Sequence, residues 1–187
     1  MRLFIAILLP ETVKEELCRR RDLIEHYAIR GNGTKTENLH LTLAFLGDVT
    51  QKEKLLKIKT AISRLCSEPF SFVLSGLGRF MGKGEGIYFN DLLPCRPLLQ
   101  LQKELIQSLE QEGFILEKRK FKPHLTLSRR TVLRPEEEEL LLNRYFPPMK
   151  VPVNEICLMK SERVGGKLVY SKLYGKVLLS HAAKQEE

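Results

Sequence analysis

The chain has 187 residues, 43% of them hydrophobic and 29% charged, with a formal net charge of +8 and an isoelectric point near 9.4. That length supports one domain with a sizeable core, and the composition is that of a globular chain and not a disordered one. The positive balance permits a polyanionic partner without demanding one.

The apolar run LFIAILL, closed by Pro10 and Glu11, is too short to span a bilayer and reads as a buried strand instead of an anchor or leader. Residues 11–29 follow as a helix, with Val13, Leu17, Ile24 and Ala28 near one face. Gly31-Asn32-Gly33 breaks it. Residues 39–46 read as a strand ended by Gly47-Asp48. Residues 51–66 read as a helix with Leu55, Ile58, Ile62 and Leu65 at helical spacing.

FSFVLSGL and GIYFN read as two strands joined by the turn Gly82–Gly86, which lacks the ending of a P-loop. A helix after Pro97 turns Leu98, Leu101, Leu105 and Leu109 inward and closes at Gly113. FILEK and HLTLSR read as strands. Pro135 and four glutamates open another helix, acids suiting the positive end of the dipole. Strands over 151–159 and 167–178, turning at Gly165-Gly166, finish the fold, and HAAKQEE is a frayed tail. The order helix, strand, helix, paired strands recurs, which predicts one α+β unit, residues 1–187, with two related lobes.

Four cysteines (Cys18, Cys66, Cys95, Cys157) lie far apart with no CxxC pair. Zinc-finger chemistry is excluded, and free thiols in a reducing compartment point to the cytoplasm.

One tetrapeptide stands out. HLTL occurs at residues 40–43 and again at 124–127, so two of only four histidines sit in the same local setting. Alternation along a strand puts His40, Thr42 and Ala44 on one face, and His124, Thr126 and Ser128 on the matching face of the second. The leucines between them anchor the strands. An imidazole near its ordinary pKa of about 6.5 exchanges protons at neutral pH. A pair of them suits in-line phosphodiester chemistry, one taking a proton from the attacking oxygen and the other giving one to the leaving oxygen. The threonines offer neutral donors to phosphate oxygens, and no carboxylate cluster of a two-metal site accompanies them.

Other features read plainly. His26 belongs on a helix surface and His181 in the tail. Ser161 and Tyr170 serve packing or reach a ligand. The basic stretch Lys118–Lys122 is a solvated strand edge or steers RNA. Lys120, Lys122 and Arg129 flank His124, which favours a neutral base there, while Glu37 precedes His40 and favours a protonated acid.

At these residues the sequence resembles the two-histidine phosphoesterase superfamily, and within it the bacterial and archaeal RNA 2′,3′-cyclic phosphodiesterases, historically called 2′-5′ RNA ligases. The resemblance spans MRLFIAILLP, ENLHLTLAFLG, PFSFVLSGLGRF, RKFKPHLTLSR and CLMKSERVGGKLVYSKLYGKVL. It implies a bilobal α+β fold whose pseudo-symmetric lobes each hold an antiparallel sheet and outer helices around a central cleft. It implies metal-free hydrolysis of RNA 2′,3′-cyclic phosphate ends to 2′-phosphomonoesters; a monomer that needs no cofactor is expected. His40 matches the proton donor and His124 the proton acceptor. Thr42, Thr126 and Arg129 match substrate-binding positions, although strict alternation turns Arg129 away from the cleft unless a bulge intervenes. Many relatives carry Trp or Phe where this chain has Gly33, a base-stacking position. An RNA-binding module without catalysis and a 2′-5′ RNA ligase are the competing readings.

Overall fold

The structure is a computed structural model and describes residues 1–117 and 119–180. Two antiparallel sheets carry the fold. The first has the strand order β3-β1-β8-β9, with β1 at Arg2–Leu8, β3 at His40–Asp48, β8 at Glu155–Val164 and β9 at Lys167–Val177. The second has the order β2-β6-β5-β4-β7, with β2 at Arg30–Gly33, β4 at Phe70–Met81, β5 at Gly86–Leu92, β6 at Leu125–Val132 and β7 at Met149–Val153. Aligned on the motif strands β3 and β6, the orders match strand for strand, with β2 as one extra edge strand. The helices are α1 (Glu11–Tyr27), α2 (Lys52–Ser63), α3 (Arg96–Gln111) and α4 (Pro135–Asn143).

The chain is α+β and bilobal, as expected, but its lobes are not its halves. β2 leaves the first part of the chain to pair with β6, and β8 and β9 return to the sheet of β1. The apolar stretch over 151–159, read as one strand, divides at Asn154 into β7 of one sheet and β8 of the other. The inward residues of α3 are Leu98, Leu101, Leu105 and Leu109, all fully buried. They join a single continuous core that takes in Leu41, Leu43, Leu125 and Leu127 of the motif strands.

A buried arginine ties the second sheet together. Arg20 of α1 is 1% exposed and donates to Glu16 Oε1, the Ser75 carbonyl, Asn90 Oδ1 and the Pro147 carbonyl at 3.0, 2.9, 2.6 and 3.2 Å. Its guanidinium stacks 4.7 Å from the Phe146 ring. The glutamates opening α4 have a packing role besides the dipole: Glu138 accepts from the Tyr88 hydroxyl and pairs with Arg79.

Two expectations fail. FILEK is no strand over its described residues 114–117, and Ile115 stands fully in solvent. β2, read only as a helix breaker, pairs with β6 through Arg30, Asn32 and Gly33. Lys118 and the tail residues 181–187, with His181, lie outside the described residues.

Candidate active site

The two motif strands are built alike down to an irregularity. Ala6 of β1 pairs with Thr42 but the next residue, Ile5, pairs with Ala44, so Leu43 is an extra residue on β3. Phe89 of β5 pairs with Thr126 but Tyr88 pairs with Ser128, so Leu127 is an extra residue on β6. Each HLTL therefore ends in a β-bulge, which shifts the side-chain phase by one. Ala44 and Ser128, expected beside their histidines, turn inward instead: Ala44 is buried, and Ser128 is fully buried and accepts from Thr131 Oγ1 at 2.7 Å. The residues after them, Phe45 and Arg129, turn out to the face of His40 and His124. This is how Arg129 reaches Thr126, its Nη2 donating to Oγ1 at 3.3 Å.

Both imidazoles are held the same way. His40 Nδ1 donates to the Asn38 carbonyl at 2.7 Å, and His124 Nδ1 donates to the Lys122 carbonyl at 2.7 Å. A proton on Nδ1 leaves Nε2 of each ring to exchange protons. Thr42 Oγ1 donates to His40 Nε2 at 2.9 Å. Asn38, itself buried, fixes its carbonyl by donating its side-chain amide to the Leu168 carbonyl of β9 at 3.2 Å.

Aromatic rings set the orientation further. His40 packs on Phe4 and meets the edge of Tyr170, at 4.9 and 5.3 Å between centroids. His124 lies 5.0 Å from Phe80 and 5.2 Å from Phe89, and the Lys122 ammonium sits over both phenylalanines at 5.1 and 5.0 Å. Gly78 makes this second box possible, since a Cβ there would run into the Phe89 ring. Tyr170 had packing as its equal alternative in the sequence. Phe4, Phe80 and Phe89 were missed; Phe4 and Phe89 lie on β1 and β5, the strands paired with the motif strands, and Phe80 one strand further on β4.

Burial lowers both imidazole pKa values below the ordinary histidine range, and the Arg129 charge lowers them further. On His40 the neighbouring His124 adds to this; on His124, Lys122 lowers and Asp91 raises. Glu37 is not among the charges acting on His40, nor Lys120 among those acting on His124, so those two cues fall away. Arg129 also acts on the Tyr170 hydroxyl, whose pKa is raised by burial. One cation thus reaches groups of both sheets. A cleft of about 340 Å³ runs between the motif strands, taking Thr42 and Phe45 from β3, His124 from the residue just before β6 and Arg129 from β6, with Arg119 and Lys120 on its rim.

Cys157 lies buried on the same face as Phe4, and burial pushes its thiol up to about 12, which excludes it as a nucleophile at neutral pH. The turn Gly82–Glu85 closes a hairpin by its own backbone bond of 2.8 Å. Among the described residues no group of three His, Cys, Asp or Glu converges as metal ligands, and no helix is long and apolar enough to cross a membrane.

Residues 13–165 match the model of the 2′-5′ RNA ligase superfamily. The chain belongs to that superfamily. It is 33% identical to the RNA 2′,3′-cyclic phosphodiesterase of Thermotoga maritima across 93% of this chain and 94% of that one. It is 34% identical to the Escherichia coli enzyme of the same name, over 68% of this chain and 71% of that one. Among solved structures it resembles Escherichia coli LigT complexed with 3′-AMP, with a TM-score of 0.78, 28% identity, and 96% and 98% of the two chains covered. A Thermus thermophilus protein superposes with a TM-score of 0.79 at 28% identity, covering 97% of this chain and all of that one.

Proposed function

We propose that this chain is an enzyme that hydrolyses RNA 2′,3′-cyclic phosphodiester ends to 2′-phosphomonoesters without a metal, His40 serving as proton donor and His124 as proton acceptor. The observation that carries the proposal is the matched pair of imidazoles. Each is tied through Nδ1 to a main-chain carbonyl two residues back, and each feels the charge of Arg129. Relatives at about a third identity that bear the name RNA 2′,3′-cyclic phosphodiesterase support the same reading.

In the reaction, His124 Nε2 takes a proton from water as the water oxygen bonds to phosphorus. The bond from phosphorus to O3′ breaks, and His40 Nε2–H protonates the departing oxygen. Thr42 and Thr126 donate to the non-bridging oxygens, and the Arg129 guanidinium offsets their charge. In the free enzyme both imidazoles are held below their ordinary pKa by burial and by Arg129. An anionic cyclic phosphate between them opposes the Arg129 field and raises both, which lets one hold the proton it must deliver. Lys122 favours the neutral form of His124, the form a proton acceptor needs, and Asp91 opposes it.

The working unit is the single bilobal chain, a monomer, since one chain supplies both motifs, and its scattered cysteines suit the cytoplasm. Ligation is the same attack on phosphorus made by the 5′-hydroxyl of a second RNA end, again breaking the bond to O3′, and water prevails over that hydroxyl by mass action. A binding module has no use for two matched His-Thr pairs.

The test is turnover of defined cyclic-phosphate oligonucleotides in EDTA with the products resolved. A 2′-phosphate formed at an unchanged rate is expected. Loss of activity in EDTA, or a 3′-phosphate product, overturns the reading.

A further inference from the structure

Arg129 reaches the cleft from a stretch of β6 that neither neighbouring strand matches residue for residue. On β5, Tyr88 pairs with Ser128 and Gly86 with Thr131, so two steps of β5 face three of β6. On β2, Asn32 pairs with Arg129 and Arg30 with Val132, again two steps against three. Arg130 is the residue that both neighbours leave over, which makes a second bulge just past the one at Leu127. Its backbone carries the strain. Arg130 has a φ of 52° and is the only non-glycine residue at positive φ among the described residues. A Cβ disfavours that left-handed region, so the surrounding structure must hold the residue there. The Arg130 side chain is exposed.

What holds the bulge lies on its inner side. Ser128 and Thr131 flank the two arginines and are 0% and 1% exposed, and Thr131 Oγ1 donates to Ser128 Oγ at 2.7 Å. Gly31 of β2 covers both hydroxyls so closely that a Cβ there would stand 3.0 Å from one and 3.2 Å from the other. In a regular strand, residues three apart face opposite sides. Two inward hydroxyls at this spacing therefore meet only while the bulge persists.

We infer that Ser128 and Thr131 are positioning residues for Arg129: their hydroxyl bond keeps the bulge closed and the guanidinium at the cleft. The inference deepens the phosphodiesterase reading, on which it rests for what Arg129 does there. Without the bond Arg130 is released from the left-handed region, and the direction of Arg129 is no longer fixed. The charges acting on the two imidazoles are Arg129, Lys122, Asp91 and, on His40, His124. Of these only Arg129 lies on the bulge, so its displacement moves both imidazole pKa values upward together.

The experiment compares wild type, Arg129→Met and the double variant Ser128→Ala/Thr131→Val, with and without Arg130→Gly. Removing both hydroxyls leaves neither unpaired in the interior, which keeps the double variant folded. It is expected to lose roughly 2- to 10-fold in kcat/KM on adenosine 2′,3′-cyclic phosphate, and its pH profile should move to higher pH, as that of Arg129→Met does. Added to Arg129→Met, the same two changes should cost nothing further. Arg130→Gly, which suits left-handed backbone, should restore the double variant and leave the wild type unchanged. An NMR titration of the His40 and His124 ring protons reads the same displacement without turnover. Wild-type kinetics and titration in the double variant overturn the inference and leave the phosphodiesterase reading standing, as does a full additional loss on top of Arg129→Met. A wild type that turns over no cyclic nucleotide overturns that reading, and the titration then decides the inference alone: unmoved imidazoles refute it.

Discussion

The division of labour between the two histidines is open to a direct measurement. Consider His40→Gln and His124→Gln. The His40 ring makes hydrogen bonds of 2.7 and 2.9 Å and packs on Phe4. Glutamine keeps a polar group in that space, so the structural loss amounts to about one hydrogen bond, ~0.5–1.5 kcal/mol. For a chain of this size that lowers the melting temperature by roughly 1–6 °C, and the variants stay folded at assay temperature. Removing an acid or base costs ~10²–10⁴ in rate, equivalent to about 3–5 kcal/mol of transition-state stabilisation. The chemical loss therefore stands clear of the structural one. Each variant is assayed on a cyclic nucleotide and on a nitrophenyl phosphodiester, whose phenolate leaves without a proton. His40→Gln should recover most of its deficit on the nitrophenyl substrate, and His124→Gln should not, because water still needs a base. Rescue of His124→Gln alone exchanges the roles. Rescue of neither, in folded variants, refutes an acid–base pair.

Three other outcomes follow from the same geometry. Thr42→Val and Thr126→Val should each lower kcat/KM by about 5- to 150-fold, the worth of one hydrogen bond to charged phosphate; steady-state kinetics matching the histidine losses would reassign the threonines. Arg129→Met removes a cation that depresses both imidazoles, so both pKa values rise and the whole bell-shaped profile of kcat/KM against pH moves to higher pH; an unmoved or acid-shifted profile contradicts the electrostatic role. Arg20→Met removes the donor to the buried Asn90 Oδ1 and leaves Glu16 without its buried partner, far from the chemistry, and should cost roughly 3–5 kcal/mol of stability by denaturant unfolding with kcat unchanged below the transition.

What the sequence made legible followed strong periodicity. The Leu98–Leu109 spacing of α3 and the alternation of HLTL both placed their leucines in the core. What escaped it was set by partners distant in the chain. β2 consists of Arg-Gly-Asn-Gly, with no residue type that favours strands. It forms because Gly31 lets Ser128 and Thr131 of β6 approach within about the span of an absent Cβ, and because Glu25 caps Gly33. FILEK has the right residues for a strand, yet its described residues 114–117 join neither sheet. Leu116 instead lines the cleft beside the basic rim. The division at Asn154 is likewise invisible locally, since both sides are apolar and only the sheets they join differ. Within the site, the imidazoles and hydroxyls were readable from alternation. Ser128 and Arg129 were not, because a bulge reverses parity and nothing in LTLS announces one.

That reversal bears on why the tetrapeptide is duplicated at all. Had the strands been regular, each would offer the cleft His, Thr and a small residue, Ala44 or Ser128, and the two sides would be equivalent. The bulge at Leu43 and at Leu127 replaces the small residue with its successor. The frame stays symmetric: two Nδ1–H bonds of 2.7 Å, two aromatic boxes, two threonines. Its third position does not, with an exposed ring on one side and a guanidinium on the other. A nucleotide ending in a cyclic phosphate is itself lopsided, a flat apolar base at one end and an anion at the other. A symmetric pair of strands would bind it in two opposed orientations, with water and O3′ exchanged between the imidazoles. An unlike third position, a ring against a guanidinium, offers such a ligand one preferred orientation, which is what the proposed fixed roles of the two histidines require.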